Sequence, residues 1–112
     1  MNEPEAVLRE LYQTLLARKQ ASADQSYVAS LYAKGADAIL KKIGEEAGEV
    51  LIAAAGNKNA DAVVHELADL WFHTLVLMAA YDLPLELLTD ELARRMGRSG
   101  LEEKAARRPG DQ

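Results

Sequence analysis

The chain of 112 residues has no cysteine, only three prolines and seven glycines, and few aromatic residues. Without cysteine, neither disulfides nor thiolate-held metals are possible. Proline and glycine interrupt helices, and their scarcity fits a hydrophobic fraction of 49% that is rich in Ala and Leu, the residues that favour helices. No stretch alternates between apolar and polar residues over a useful length. We therefore predict an all-α fold.

Long hydrophobic runs are also missing. No segment reaches the roughly 18 consecutive apolar residues that a membrane span needs, and the acidic start Met1-Asn2-Glu3-Pro4-Glu5 does not resemble a signal peptide. We expect no membrane partner and a cytoplasmic location.

The length predicts one domain over residues 1–112. Its core would be small, so we expect a bundle-like protomer of four to five helices that is completed by dimerisation.

Basic side chains are fewer than acidic ones, and six of the 13 lie near the C-terminus. Residues 94–108 hold six basic and two acidic side chains, in a chain whose net charge is −5. The acidic body gives little support to a nucleic-acid partner. The basic segment suits either an anionic ligand or a solvated tail, and we expect residues 99–112 to form a mobile basic tail.

Apolar residues at helical spacing predict five helices. Ser26 is expected to cap the second helix and Gly35 to stop it, while Pro84 suits the first turn of the fifth. Composition predicts a turn over residues 56–59. The predicted helices cover residues 4–19, 27–34, 37–55, 61–81 and 84–98.

Two acidic runs, Glu-Glu-x-x-Glu and Glu-x-x-Asp, fall in the third and fourth predicted helices. Residues three apart on a helix project from neighbouring turns of one face. Each run therefore presents a pair of carboxylates. Four carboxylates around one point repel one another unless a cation lies between them, and all-oxygen ligation suits Mg²⁺, with Mn²⁺ as an alternative. The predicted metal ligands are Glu46, Glu49, Glu66 and Asp69.

Helical phase places these carboxylates at the edge of the buried stripe. Ile39 and Ile43 lie within about 60° of Glu46, whereas Glu45 is rotated by about 100° toward solvent. Glu49 is predicted to share the edge position of Glu46. A carboxylate beside apolar residues is costly unless it is compensated, which favours a site over a solvated charged face.

Other metal sites fit the sequence less well. A di-iron bundle needs Glu-x-x-His, but Ala62 and Leu70 stand three residues before His65 and His73. A zinc hydrolase favours several histidines, and the chain has two. His73 lies one turn beyond Asp69, and we predict a partly buried histidine with satisfied hydrogen bonds. His65 is predicted at the surface.

The remaining polar and aromatic features leave alternatives open. Lys42 lies one turn before Glu46 and would either bind a phosphate or form an ion pair with that glutamate. Four aromatic residues are predicted to lie in the core or an interface: Tyr27, Tyr32, Trp71 and Phe72.

The two acidic runs, separated by 17 positions from Glu49 to Glu66, resemble the signature of the all-α nucleoside triphosphate pyrophosphohydrolases. Further stretches resemble one branch, the phosphoribosyl-ATP pyrophosphohydrolase family, and the resemblance runs from Leu8 to Arg107. The most specific is the tail Ser-Gly-Leu-Glu-Glu-Lys at 99–104. The others are Ser26-Tyr27, Leu31 with Lys34-Gly35, and the segments 41–46 and 65–70.

The resemblance implies a homodimeric enzyme with active sites near the interface. It would use Mg²⁺ to hydrolyse phosphoribosyl-ATP to phosphoribosyl-AMP and pyrophosphate, the second step of histidine biosynthesis. In this hypothesis Glu45 completes a second metal site or orients the attacking water. The catalytic set is Glu45, Glu46, Glu49, Glu66 and Asp69, and the candidates for holding phosphates are Lys34, Lys42, Arg95, Arg98 and Lys104.

Two other functions stay open at this point. A house-cleaning pyrophosphohydrolase would carry the same acidic runs but act on dUTP or damaged nucleotides. A non-enzymatic helical dimerisation module would hold a cation only incidentally. Pyrophosphate release from a panel of substrates separates the three functions.

Overall fold

The computed structural model describes residues 3–57 and 59–97, and this part of the chain is helical without strands. A 3-10 turn, Arg18–Gln20, continues the first helix, and a π-helical turn, Ala53–Asn57, continues the third. The prediction of an all-α fold is confirmed. The five helices are α1 (Pro4–Ala17), α2 (Tyr27–Lys34), α3 (Ala36–Ile52), α4 (Ala60–Ala80) and α5 (Leu85–Met96).

The ends of α2 agree with the predicted cap and stop. The Ser26 hydroxyl accepts a hydrogen bond from the Ala29 amide at 3.1 Å, which satisfies one of the free donors at the helix start. Gly35 has φ +97°, a conformation that glycine adopts at little cost. Because Gly35 is also the residue before α3, the third helix begins at Ala36 instead of Asp37.

Two other helix boundaries differ from the prediction. The α-helical part of α3 ends at Ile52, and the chain stays wound through Asn57 as a π-helical turn. The three alanines before Gly56 favour helical backbone, and Gly56 and Asn57 are helical where a turn was predicted. Asn59 then caps α4 by accepting from the Asp61 and Ala62 amides at 2.9 and 3.2 Å.

The fifth helix is shorter than predicted. Pro84 precedes the first turn with extended backbone, and the helix runs from Leu85 to Met96. The predicted end at Arg98 and the predicted tail over 99–112 lie outside the described residues.

The core lies where α1, α3 and α4 pack together. Its most deeply buried large side chains are Leu15 of α1, Ile39 of α3 and Val76 of α4. Burying a side chain of this size contributes roughly 1.5–3 kcal/mol. α2 packs mainly against α3. α3 and α4 make the most extensive contact between helices of the described chain, so the two helices that carry the acidic runs are direct neighbours.

A second region, here called the α1–α5 corner, ties α1 to the connection between α4 and α5. The Tyr12 hydroxyl donates to the Leu83 carbonyl, and burial is the main cause that raises the pKa of Tyr12. Two ion pairs join the same elements, Lys19–Asp82 at 2.5 Å and Arg9–Glu86 at 2.8 Å.

Within the described residues, α4 is long and apolar enough to cross a membrane by length and composition alone. Core helices of soluble proteins pass the same test. Here α4 packs against α1 and α3, and its Val76 and Ala79 have no exposed surface.

Candidate metal centre

The first acidic run, on α3, places one carboxylate inward and two outward. Glu46 is 9% exposed, which makes it the buried carboxylate of the described chain, as its position beside Ile39 and Ile43 predicted. Glu45 is exposed, also as predicted. Glu49 is exposed as well, which corrects its predicted position at the edge of the buried stripe. Helical phase gives the angle between two residues but not how far a neighbouring helix covers them.

Lys42 compensates the buried carboxylate. Its Nζ lies 3.3 Å from Oε1 of Glu46 and 3.9 Å from Oε1 of Glu45. The hydrogen bond to Glu46 is the largest cause that raises the pKa of Lys42, and the Tyr27 phenol adds a smaller Coulombic contribution. Of the two alternatives for Lys42, the structure therefore contains the ion pair, while the phosphate contact stays a prediction.

The second acidic run, on α4, forms a cluster with a histidine. Ligand atoms of His65, Glu66 and Asp69 all lie within 4.8 Å of one another. The His65 Nε2 is 3.5 Å from Oδ2 of Asp69, and the His65 side chain is 72% exposed, which confirms its predicted surface position. Its proximity to Asp69 was missed, although the spacing of four residues signals such a contact.

The structure brings only two of the four predicted metal ligands into that cluster. Within residues 3–57 and 59–97 no other group of three or more metal-binding side chains is as close together. Glu46 and Glu49 therefore stand outside it, on the neighbouring helix. The convergence of all four carboxylates on one cation remains a prediction.

His73 connects the second acidic run to α2. It is 5% exposed, its Nδ1 lies 2.8 Å from the Asp69 carbonyl oxygen, and its Nε2 lies 2.8 Å from the Tyr27 hydroxyl. A carbonyl can only accept, so Nδ1 carries the hydrogen, and in the neutral ring Nε2 accepts from the hydroxyl. This confirms the prediction of a histidine with satisfied hydrogen bonds. It also fixes the start of α2 beside Asp69.

The predicted phosphate-binding residues are not all free to bind an anion. Arg95 donates to Glu91 at 2.9 Å. Hydrogen bonds from Arg94 and Arg95 lower the pKa of Glu91 to about 2, and the contribution of Arg94 is the larger one. Lys34 is exposed at the end of α2. Arg98 and Lys104 lie outside the described residues.

The aromatic residues divide into two groups. Tyr32 and Phe72 are partly buried and pack against the core, as predicted. Tyr27 and Trp71 are exposed in the protomer, so neither is a core residue.

The donor set fits a hard divalent cation. Glu66 and Asp69 offer carboxylate oxygens, and within the described part of the chain neither forms an ion pair with Lys or Arg. Mg²⁺ is usually bound by one or two carboxylates and keeps several waters. An imidazole such as that of His65 would suit Mn²⁺ better than Mg²⁺.

A family model and three curated relatives that match this chain are named for the same activity. A family model described as phosphoribosyl-ATP pyrophosphohydrolase matches residues 8–96. A curated relative from Trichlorobacter lovleyi, named phosphoribosyl-ATP pyrophosphatase, is 54% identical over 96% of this chain and 99% of its own length. Relatives of the same name from Geobacter metallireducens and Neisseria meningitidis are 54% and 55% identical, over 96% and 92% of this chain and 97% and 95% of their own lengths.

Proposed function

We propose that this chain, which belongs to the phosphoribosyl-ATP pyrophosphohydrolase family, hydrolyses phosphoribosyl-ATP to phosphoribosyl-AMP and pyrophosphate. This reaction is the second step of histidine biosynthesis. The observation that carries the proposal is the identity of more than half of the residues, over nearly the full length, with relatives named for this activity. Acidic runs on the neighbouring helices α3 and α4 give it a chemical basis.

In the proposed site, carboxylates of both runs would hold Mg²⁺. A bound Mg²⁺ would neutralise charge on the triphosphate and make the attacking water more acidic. Glu66 and Asp69 are the pair that the fold already gathers, and Glu46 and Glu49 complete the set from α3. His73 donates from Nδ1 to the Asp69 carbonyl, and its contact with the Tyr27 hydroxyl ties α2 to the turn of α4 that carries Asp69.

The chemical step is an in-line displacement at the α phosphorus. A water oxygen forms the new bond to phosphorus, the bond to the oxygen bridging the α and β phosphates breaks, and pyrophosphate leaves. The proton lost by the water passes to solvent. Glu45 is exposed beside the buried Glu46, where it can accept a hydrogen bond from the attacking water and orient it. Positioning and electrostatic stabilisation supply most of the catalysis in such transfers.

Pyrophosphate release tests the activity directly. The purified protein is incubated with Mg²⁺ and either phosphoribosyl-ATP, dUTP or the four common nucleoside triphosphates, and a chelator serves as the control. We expect release chiefly from phosphoribosyl-ATP, and growth of a histidine auxotroph that lacks this step. Faster release from dUTP would favour the house-cleaning alternative, and no release from any substrate would favour a dimerisation module.

We further propose a homodimer whose interface includes an apolar face on α4 and α5. Exposed apolar residues recur along both helices. One groove formed by α1, α4 and α5 and another formed by α1 and α4 are lined almost wholly by apolar side chains. An exposed apolar patch of this kind on a small protein indicates an interaction surface. The face consists of Val64, Leu67, Trp71, Leu88 and Leu92.

Sedimentation velocity tests the dimer. Trp71→Glu places a charge in the centre of the apolar face and should shift the protein toward monomer. The control Val7→Glu adds the same charge at an exposed position on α1 and should leave the dimer intact. A wild-type protein that sediments as a monomer at tens of micromolar would contradict the proposal.

The location that we propose is the cytoplasm, because the substrate is a free nucleotide.

A further inference from the structure

Tyr27, the first residue of α2, has an inverted orientation for a tyrosine. Tyrosines commonly bury the ring and leave the hydroxyl in water. Here the hydroxyl points inward to Nε2 of His73 at 2.8 Å, although 52% of the Tyr27 surface is exposed. With the hydroxyl engaged by His73, the exposed surface of Tyr27 includes carbon atoms of the ring.

The ring is also held firmly. His73, which anchors the hydroxyl, is itself fixed by the Asp69 carbonyl at 2.8 Å. The rings of Tyr27 and His73 meet edge to face, with centroids 5.9 Å apart and an interplanar angle of 84°. A surface ring with this anchoring has little rotational freedom left to lose when a ligand stacks on it.

Tyr27 forms part of a cavity next to the candidate metal centre. The cavity has a volume of about 520 Å³ and opens where α1, α2 and α4 meet, and this volume lies within the usual range of small-molecule sites. Phe72 of α4 supplies a second aromatic side chain. Asp69 precedes Phe72 by three residues on α4, so the cavity adjoins the face that carries the second acidic run.

The charge of the cavity lining suits a nucleotide. Arg18 is the charged residue among the described residues that line the cavity, and it forms no ion pair within that part of the chain. Thr14 and Gln25 also line the space, and the Thr14 hydroxyl donates to the Glu10 carbonyl. The lining therefore combines an aromatic surface, hydrogen-bonding groups and an uncompensated positive charge.

Resting on the proposed function, we infer that the exposed ring of Tyr27 is the surface on which the adenine of phosphoribosyl-ATP stacks. The base occupies the cavity, and the triphosphate extends from it toward Glu66 and Asp69. Stacking of a base on an aromatic side chain corresponds to about a 5- to 150-fold change in affinity. Tyr27 is thus a substrate-binding residue that is positioned by His73.

Proton NMR of AMP tests the stacking without requiring turnover. On titration with wild-type protein, the adenine H2 and H8 signals should move upfield, because they lie above an aromatic ring. Tyr27→Phe keeps the ring and should retain most of the shift, whereas Tyr27→Leu should abolish it. Tyr81→Leu is the matched control, since Tyr81 is 55% exposed and lies at the far end of α4, and it should retain the full shift.

Kinetics with phosphoribosyl-ATP provide the second measurement. Tyr27→Leu should raise KM by about 5- to 150-fold with kcat within about threefold, and the Mg²⁺ concentration for half-maximal rate should not change. Circular dichroism verifies that the variant is folded.

Three results would overturn the inference: no upfield shift with wild-type protein, the same shift with Tyr27→Leu, or equal losses in Tyr27→Phe and Tyr27→Leu. If wild-type protein shifts AMP in the expected way but does not hydrolyse phosphoribosyl-ATP, the proposed function fails while adenine stacking on Tyr27 stands.

Discussion

The α1–α5 corner and the second acidic run of the candidate metal centre treat carboxylates in opposite ways. At the corner, Asp82 and Glu86 each meet a basic side chain from α1 or the turn after it, at 2.5 and 2.8 Å. In the second acidic run, Glu66 forms no ion pair within the described residues, and Asp69 pairs only with His65 there. In the first run, Lys42 pairs with Glu46, and Glu49 forms no ion pair within the described residues. The chain therefore neutralises the carboxylates at the corner, whereas within its described part Glu66 and Asp69 have no Lys or Arg partner.

This difference separates a structural region from a functional one. Paired carboxylates contribute modestly to folding. Carboxylates gathered without a cation repel one another and reduce stability until a ligand arrives, a cost that is common at functional sites. We expect changes at the corner to affect unfolding with little effect on turnover, and changes at the metal centre to do the reverse.

The largest expected effect comes from removing one uncompensated charge. Asp69→Asn keeps the size of the side chain but weakens cation binding, and we expect turnover of phosphoribosyl-ATP to fall at least about 100-fold. The unfolding midpoint should stay the same or rise, because repulsion with Glu66 is relieved. Pyrophosphate release and thermal unfolding measure the two effects.

Asp82→Asn is the matched control at the corner. It makes the same chemical change to a carboxylate that is already paired with Lys19, so turnover should stay near the wild-type value. Full activity of Asp69→Asn would remove Asp69 from the ligand set. A large loss of activity in Asp82→Asn would show that the two regions are not functionally separate.

Cation binding should stabilise the fold through the metal centre. A ligand at 100 times its dissociation constant stabilises the folded state by about 2.7 kcal/mol. We therefore expect Mg²⁺ to raise the melting temperature of the wild-type protein by several degrees. Glu66→Gln should lose most of this increase, and the corner variant Glu86→Gln should keep it. An equal increase in both variants would place the bound ion elsewhere.

A smaller effect is expected at the corner itself. Tyr12→Phe removes the hydroxyl that donates to the Leu83 carbonyl, and the loss of one partly buried hydrogen bond costs about 1 kcal/mol. Urea unfolding should detect this decrease, while turnover should stay within about twofold of wild type. Loss of activity without loss of stability would contradict the structural role of the corner.

Sequence reasoning recovered most of the fold because its signals are local. The Ser26 cap, the Gly35 stop and the apolar spacing of α4 each act within one or two turns. The end of α3 was not predicted, because the backbone continues as a π-helical turn past Gly56, and propensity does not separate one kind of helical winding from another. The extent of α5 was overestimated for a similar reason, since Arg94 and Arg95 favour helix but the chain leaves it after Met96.

At the candidate site, what could be predicted depended on the number of helices involved. Helical phase on one helix placed Glu46 beside the buried stripe, and the contact of His73 with the Asp69 carbonyl lies within α4. The contact between His65 and Asp69 could also have been found from their spacing. The exposure of Glu49 and the orientation of Tyr27 depend on how neighbouring helices cover them, and a single sequence does not specify this tertiary arrangement.

The smallest effect is expected at a compensated carboxylate on α5. Hydrogen bonds from Arg94 and Arg95 lower the pKa of Glu91 from 4.5 to about 2. A group with a lowered pKa in the folded state stabilises it above the pKa of the unfolded state, and this contribution is lost as pH falls from about 4.5 to about 2. The group is at the surface, so the contribution is small. The urea midpoint of Glu91→Gln should therefore lie slightly below that of the wild type at pH 7, and the difference should shrink between pH 4.5 and pH 2.5. An unchanged difference across that range would show that Glu91 acts through helix propensity, and the comparison of paired with unpaired carboxylates would then not extend to α5.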